Sequence, residues 1–168
     1  MNRNLTLLTI SQVFGFTTAT ITIFLSGIVG SQITSVKSLS TLPTALFVVG
    51  TASCTILAAK IMSKIGRRNG FVLAATLSSI TSLLAAFSIS EQNFTLFCIS
   101  CTILGMGTAF NHQYRFAAAE SVSKEQIPKA VSILMLAGIV SAFIGITSAN
   151  YTKDIVTDYM YVGSYLLL

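Results

Sequence analysis

Five long apolar runs dominate this chain, over residues 5–32, 42–62, 70–90, 94–119 and 130–150. Crossing about 30 Å of hydrocarbon takes roughly 20 helical residues, and each run reaches that length. Barrel strands would alternate in polarity over about 10 residues, so continuous runs of this length predict helices. The fold class that follows is an all-α integral membrane protein, a bundle of antiparallel transmembrane helices. A sixth run opens at Tyr159 and stops at Leu168, after ten residues. This is about half a crossing, so the expectation is five full helices and the start of a sixth, in one transmembrane domain over residues 1–168.

Charge agrees with a bilayer as solvent. Only 9% of the residues are charged and 53% are hydrophobic, with a mean hydropathy of +0.80. Too few charges remain to hydrate a soluble domain of this size. The net charge of +5 does not point to nucleic acid, because the basic residues sit in short clusters between apolar runs and form no face with interleaved aromatics. They set orientation instead. With the N-terminus inside, Arg3, Lys60, Lys64, Arg67, Arg68, Lys124 and Lys129 are cytoplasmic, and only Lys37 and Lys153 lie outside. That bias predicts a cytoplasmic N-terminus. The first run is too long for a signal peptide and lacks a small-residue cleavage site, so it reads as a retained helix.

The connections are short, which predicts that consecutive helices are antiparallel neighbours. Small residues recur at spacing four in Ala74, Ser78, Ser82 and Ala86, and in Ala137, Ser141, Gly145 and Ala149. Such ladders let helix backbones approach each other in lipid.

Two polar stripes carry more chemistry. In the first helix Ser11, Gly15, Thr18, Thr22 and Ser26 fall within an arc of about 80°, with Gln12 beside them. Either these hydroxyls bond their own helix, or they wall an aqueous path. In the fourth helix Cys101, Thr108, Asn111, His112 and Arg115 form a second stripe, ending in Asn111-His112-Gln113-Tyr114-Arg115. Hydrogen-bonding groups at this depth are costly against lipid and should face protein, water or a solute. Arg115 also stands close enough to the inner end to serve as an interfacial anchor. His112 is the single histidine and could take up protons near neutral pH. Gln12, Thr18, Thr22, Asn111, His112 and Arg115 are the candidate lining of a solute path.

No catalytic set is legible. Cys98-x-x-Cys101 lacks the second pair or nearby histidine of a tetrahedral metal site, and no phosphate-binding glycine loop or nucleophile elbow occurs. An enzyme, a cofactor and a metal are therefore not expected. Asn93-Phe94-Thr95 and Asn150-Tyr151-Thr152 match glycosylation sequons, but both lie against the membrane.

The stretch Ala59-Lys60-Ile61-Met62-Ser63-Lys64-Ile65-Gly66-Arg67-Arg68 resembles the signature loop of the major facilitator superfamily, Gly-x-Leu-Ala-Asp-Arg-x-Gly-Arg-Arg. Lys64, Gly66, Arg67 and Arg68 match, while Ser63 and Ala59 stand where the family has Asp and Gly. The segment from Glu120 to Ala130 is similar to the family's second inner loop. Further phrases, Ser38-Leu39-Ser40-Thr41-Leu42-Pro43, Tyr114-Arg115-Phe116-Ala117-Ala118-Ala119-Glu120 and Gly163-Ser164-Tyr165, resemble a bacterial subgroup that includes riboflavin-type transporters. The resemblance implies the N-terminal half of a twelve-helix carrier in a bacterial inner membrane. It implies a small organic solute moved by alternating access, and a C-terminal half on the same or another chain. Helices one and four would hold equivalent places at the solute cavity. Lys64, Gly66, Arg67, Arg68 and Glu120 would form the inner gate, with Glu120 facing Arg67 or Arg68. The other expectation is a non-transporting remnant or interaction module.

Overall fold

The computed structural model describes residues 3–153 and 161–168, all of them in helices and short connections. The helices are α1 (Arg3–Ile33), α2 (Leu42–Ile65), α3 (Arg67–Ser90), α4 (Phe94–Asn111), α5 (Tyr114–Glu120), α6 (Ile127–Thr152) and α7 (Val162–Leu166). Short 3-10 turns at Lys37–Leu39 and Lys124–Gln126 lead into α2 and α6. Pro43 and Pro128 occupy the first turns of those two helices, where a missing N–H costs nothing. Asn93 caps α4, its side-chain oxygen accepting from the Leu96 amide at 3.0 Å.

Five helical segments among the described residues are long and apolar enough to cross a membrane, α4 and α5 together making the fourth. The burial pattern inverts that of a soluble domain. Phe14, Ile56, Ile80 and Phe143 are more than 60% exposed, whereas Gln12, Thr22, Ser26, Ser82, Ser88, Thr108 and Ser141 are buried. Apolar side chains that meet lipid lose nothing, while a polar group is cheaper inside, where most of these find a partner.

Three sequence expectations change. Residues 63–69 form no extended loop, because α2 runs to Ile65 and α3 starts at Arg67. The basic side chains of this stretch hang from helical positions and reach the water from there. The run expected as one helix over 94–119 is interrupted at His112 and Gln113. There the Gln113 amide bonds Phe110 at 3.0 Å, three residues back, a tightening to 3-10 geometry. Sequence neighbours are also not always the main partners: α3 packs on α4 as expected, but α1 and α2, and α2 and α3, pack little on each other. The most extensive packing joins α2 to α4 and α1 to α6, with α3 on α4. The opening of the sixth run at Tyr159 lies outside the described residues.

Small residues explain the pairing. A Cβ on Gly50 would run into the Thr102 carbonyl, and one on Gly105 into the Phe47 carbonyl, so α2 and α4 touch backbone to backbone. The Thr51 hydroxyl spans that contact, donating to the Gly105 carbonyl at 3.0 Å and to Phe47 in its own helix. A Cβ on Gly145 of α6 would meet Thr20 of α1 at 3.0 Å, and one on Gly107 would meet the Ser78 hydroxyl of α3 at 2.6 Å. The ladders of α3 and α6 thus face α4 and α1. The α2 to α4 contact brings Gly50 onto Thr102 and Gly105 onto Phe47, with Cys54, Ala58 and Ala109 packed together further along, cysteine serving as a small residue.

Gly66 alone joins α2 to α3. Its φ of 84° and ψ of 156° belong to a region open almost solely to glycine. Nothing lies within 4 Å of a Cβ built there, so strain in the backbone is the whole objection to another residue. Gly66→Ala is expected to cost about 1–3 kcal/mol, read as a lower melting temperature in detergent. An unchanged melting temperature would refute the assignment of strain.

Candidate solute cavity and inner surface

The α1 stripe faces other helices. Ser26 and Thr44 of α2 share a hydrogen bond of 2.6 Å. Gln12 is buried and donates to the Leu134 carbonyl of α6 at 2.7 Å, its own side-chain oxygen having no partner among the described residues. The Thr22 hydroxyl is likewise sealed and unpartnered. Gly15 lets α4 approach, and Asn111 donates to its carbonyl at 2.9 Å.

Asn111 and His112 are adjacent in the chain yet look into different spaces. Asn111 borders a cavity of about 320 Å³ between α1 and α3, with Ser11, Gly15, Thr18, Ser78 and Tyr114. His112 borders one of about 390 Å³ between α1, α2 and α4, with Phe16, Thr20, Thr51 and Thr108. The second volume falls in the range that holds small organic ligands, and its wall is of the usual kind, mainly apolar with a few polar groups. Phe16 meets His112 edge to face, with ring centroids 5.4 Å apart, so the imidazole plane is held by packing. Thr108 and Thr51 spend their hydroxyl protons on backbone carbonyls, which leaves oxygen lone pairs free to accept from a solute. Arg115, on α5, is exposed. Its neighbours Tyr114, Ala117 and Ala118 are buried, with Tyr114 stacked on Phe71 of α3 at 4.1 Å, so Arg115 projects from the opposite side of α5. Thr18 borders the cavity with Asn111, and neither Gln12 nor Thr22 borders the cavity with His112.

Of the residues expected at the inner gate, Arg67 and Glu120 come together, with Gln113 beside them. The Arg67 guanidinium donates to both carboxylate oxygens of Glu120, at 2.6 and 3.1 Å, and its third nitrogen donates to Gln113 at 3.3 Å. The pair is partly exposed, the Arg67 side chain by 32% and Glu120 by 61%, so it adds about 0–1 kcal/mol to stability. Its value lies in geometry, since a bidentate contact fixes α3 against α5. Arg68 and Lys64 are exposed. Ser63 donates to the Lys60 carbonyl at 2.7 Å, which ties its hydroxyl to its own helix. Gln113 escaped the sequence reading because a glutamine within an apolar run looks like any other member of the stripe. The charge of Arg67 on a neighbouring helix gives it a partner.

Comparison with known proteins agrees with this architecture. Over 164 residues, 98% of this chain and 41% of the relative, it is 35% identical to the riboflavin transporter RfnT of Brucella anthropi. It is 31% identical over 155 residues to the uncharacterized MFS-type transporter YdeG of Bacillus subtilis, covering 90% of this chain and 35% of the relative. To YddS, another uncharacterized MFS-type transporter of that organism, it is 27% identical over 151 residues. The chain thus spans well under half the length of these relatives. No solved structure gives a significant match. Residues 5–153 match the model of the Major Facilitator Superfamily, and with that match covering most of its length the chain belongs to this family of membrane transporters.

Proposed function

We propose that this chain is the N-terminal half of a secondary carrier for a small, planar organic solute of the riboflavin type, working by alternating access. The observation that carries the reading is the cavity between α1, α2 and α4, lined by Phe16, Thr20, Thr51, Thr108 and His112. It sits beside the middle of the 31-residue α1, the depth at which such carriers bind solute. An aromatic ring next to hydrogen-bonding hydroxyls and an imidazole suits a heteroaromatic ring system. The pairing of helices supports the same mechanism. If α1 to α3 and α4 to α7 are two repeats, α6 is the counterpart of α2, and the α2 to α4 contact is the counterpart of α6 to α1. These are the two most extensive pairs. The Brucella relative's printed activity supplies the solute class, and a C-terminal half on the same or another chain would complete the path.

Uptake of riboflavin into proteoliposomes holding the complete reading frame tests this. Saturable uptake, sensitive to an imposed pH gradient, is expected. Rates no higher than in protein-free vesicles would remove the solute assignment.

The orientation belongs to the proposal as well, with the N-terminus, Arg68 and Lys124 in the cytoplasm of a bacterial cell and Lys37 and Glu91 outside. Cys54, Cys98 and Cys101 are free thiols and are first replaced by alanine. Arg68→Cys is then expected to react with an impermeant maleimide only in inside-out vesicles, and Glu91→Cys only in intact cells. Labelling of both from one side would overturn the topology.

A further inference from the structure

The interrupted turn of the fourth span carries two side chains in opposite directions. His112 borders the α1, α2 and α4 cavity. Gln113, the next residue and only 6% exposed, accepts from the Arg67 guanidinium at 3.3 Å. The same guanidinium grips Glu120 through its other two nitrogens. One arginine thus reads both the break and the far end of α5. The break itself is a tightened turn, with the Gln113 amide bonded three residues back. A turn of this kind advances about 120° per residue against about 100° in an α-helix, so relaxing it rotates everything beyond by tens of degrees.

We propose that Gln113 is a positioning residue for transport, which ties the state of the turn beneath the solute cavity to the Arg67–Glu120 pair at the inner surface. This rests on the cavity being the solute path. A solute that moves His112 moves the turn, the Gln113 carbonyl oxygen leaves Arg67, and the inner clamp loses one of its three hydrogen bonds. Conversely, an intact clamp holds the turn tight. Gln113 touches no solute and acts through Arg67.

The test uses the complete carrier in proteoliposomes, with Cys54, Cys98 and Cys101 replaced by alanine. Ala52→Cys, on the cavity wall, serves as reporter toward an impermeant maleimide applied from the cytoplasmic side. Loss of a hydrogen bond to a charged group is worth roughly a tenfold change in an equilibrium. Gln113→Leu is therefore expected to raise reporter labelling about fivefold and to lower kcat for riboflavin about tenfold, with KM within about twofold. Gln113→Glu keeps an acceptor for Arg67 and is expected to restore both to near the parent values. Parent-like labelling and kcat in Gln113→Leu would overturn the coupling. So would a Gln113→Glu protein as impaired as Gln113→Leu while both remain monodisperse. If no protein takes up riboflavin, the parent included, and the labelling difference persists, the solute assignment falls and the coupling stands.

Discussion

Gly105→Ala is expected to destabilise the bundle by about 1–3 kcal/mol, the usual cost of forcing extra volume into a packed contact, although alanine is the better helix former by about 1 kcal/mol. The methyl would meet the Phe47 carbonyl, and backbone cannot swing aside as a flexible side chain can. α2 and α4 would have to separate, stretching the Thr51 to Gly105 hydrogen bond. Gly138→Ala in α6 is the matched control, with nothing within 4 Å of the added carbon. There only helix propensity acts, and a gain of up to about 1 kcal/mol is expected. Unfolding in mixed micelles of the same detergent measures both. Equal shifts for the two variants would show that the α2 to α4 approach is looser than drawn.

If the complete carrier takes up riboflavin as proposed, Arg115→Lys in it is expected to raise KM about tenfold while leaving protein yield unchanged. Arg115 is exposed on α5 and bears no hydrogen bond or ion pair among the described residues, so its guanidinium is available to a solute. A planar fork can donate two parallel hydrogen bonds to a carbonyl-rich or anionic edge, and an ammonium cannot. Hydrogen bonds to a charged group are worth about 1.5–3 kcal/mol, which is tenfold or more in affinity. An arginine that merely anchors the helix at the interface would tolerate lysine, because either cation snorkels. Kinetics in membranes of matched expression decide between the two. Parent-like KM and kcat for Arg115→Lys would assign the residue to anchoring.

The spans were legible because continuous hydrophobicity over twenty residues has one stable outcome in lipid. The contact of Glu120 with the Arg67-Arg68 corner came from the resemblance of the two connecting segments to the family's inner loops, and in the structure Arg67 makes it. The interruption at His112 and Gln113 was not. It contains neither proline nor glycine, and the groups that hold it, Arg67 on Gln113 and Asn111 on the Gly15 carbonyl, come from residues 46 and 96 positions away. Local sequence cannot register such partners. A helical wheel drawn through residues 101 to 115 takes no account of the break and puts Asn111 and His112 in one stripe. Three-dimensional packing sends them to cavities on different sides of α1. The α2 to α4 contact was missed for a simpler reason. Its small residues include Cys54, packed with Ala58 and Ala109, and cysteine does not stand out as a small residue in a glycine, alanine and serine ladder.

The single-residue corner at Gly66 leaves no slack between two rods. Each of α2 and α3 has 24 residues, about 36 Å of helix. Where a longer connection could stretch, this one transmits displacement, so α2 cannot slide along its axis without α3 answering. What remains free is the angle between them. Each degree opened at the corner moves a far end by about 0.6 Å, given that length. A small torsional change at the Gly66 end of the bundle therefore has leverage at the opposite face of the membrane.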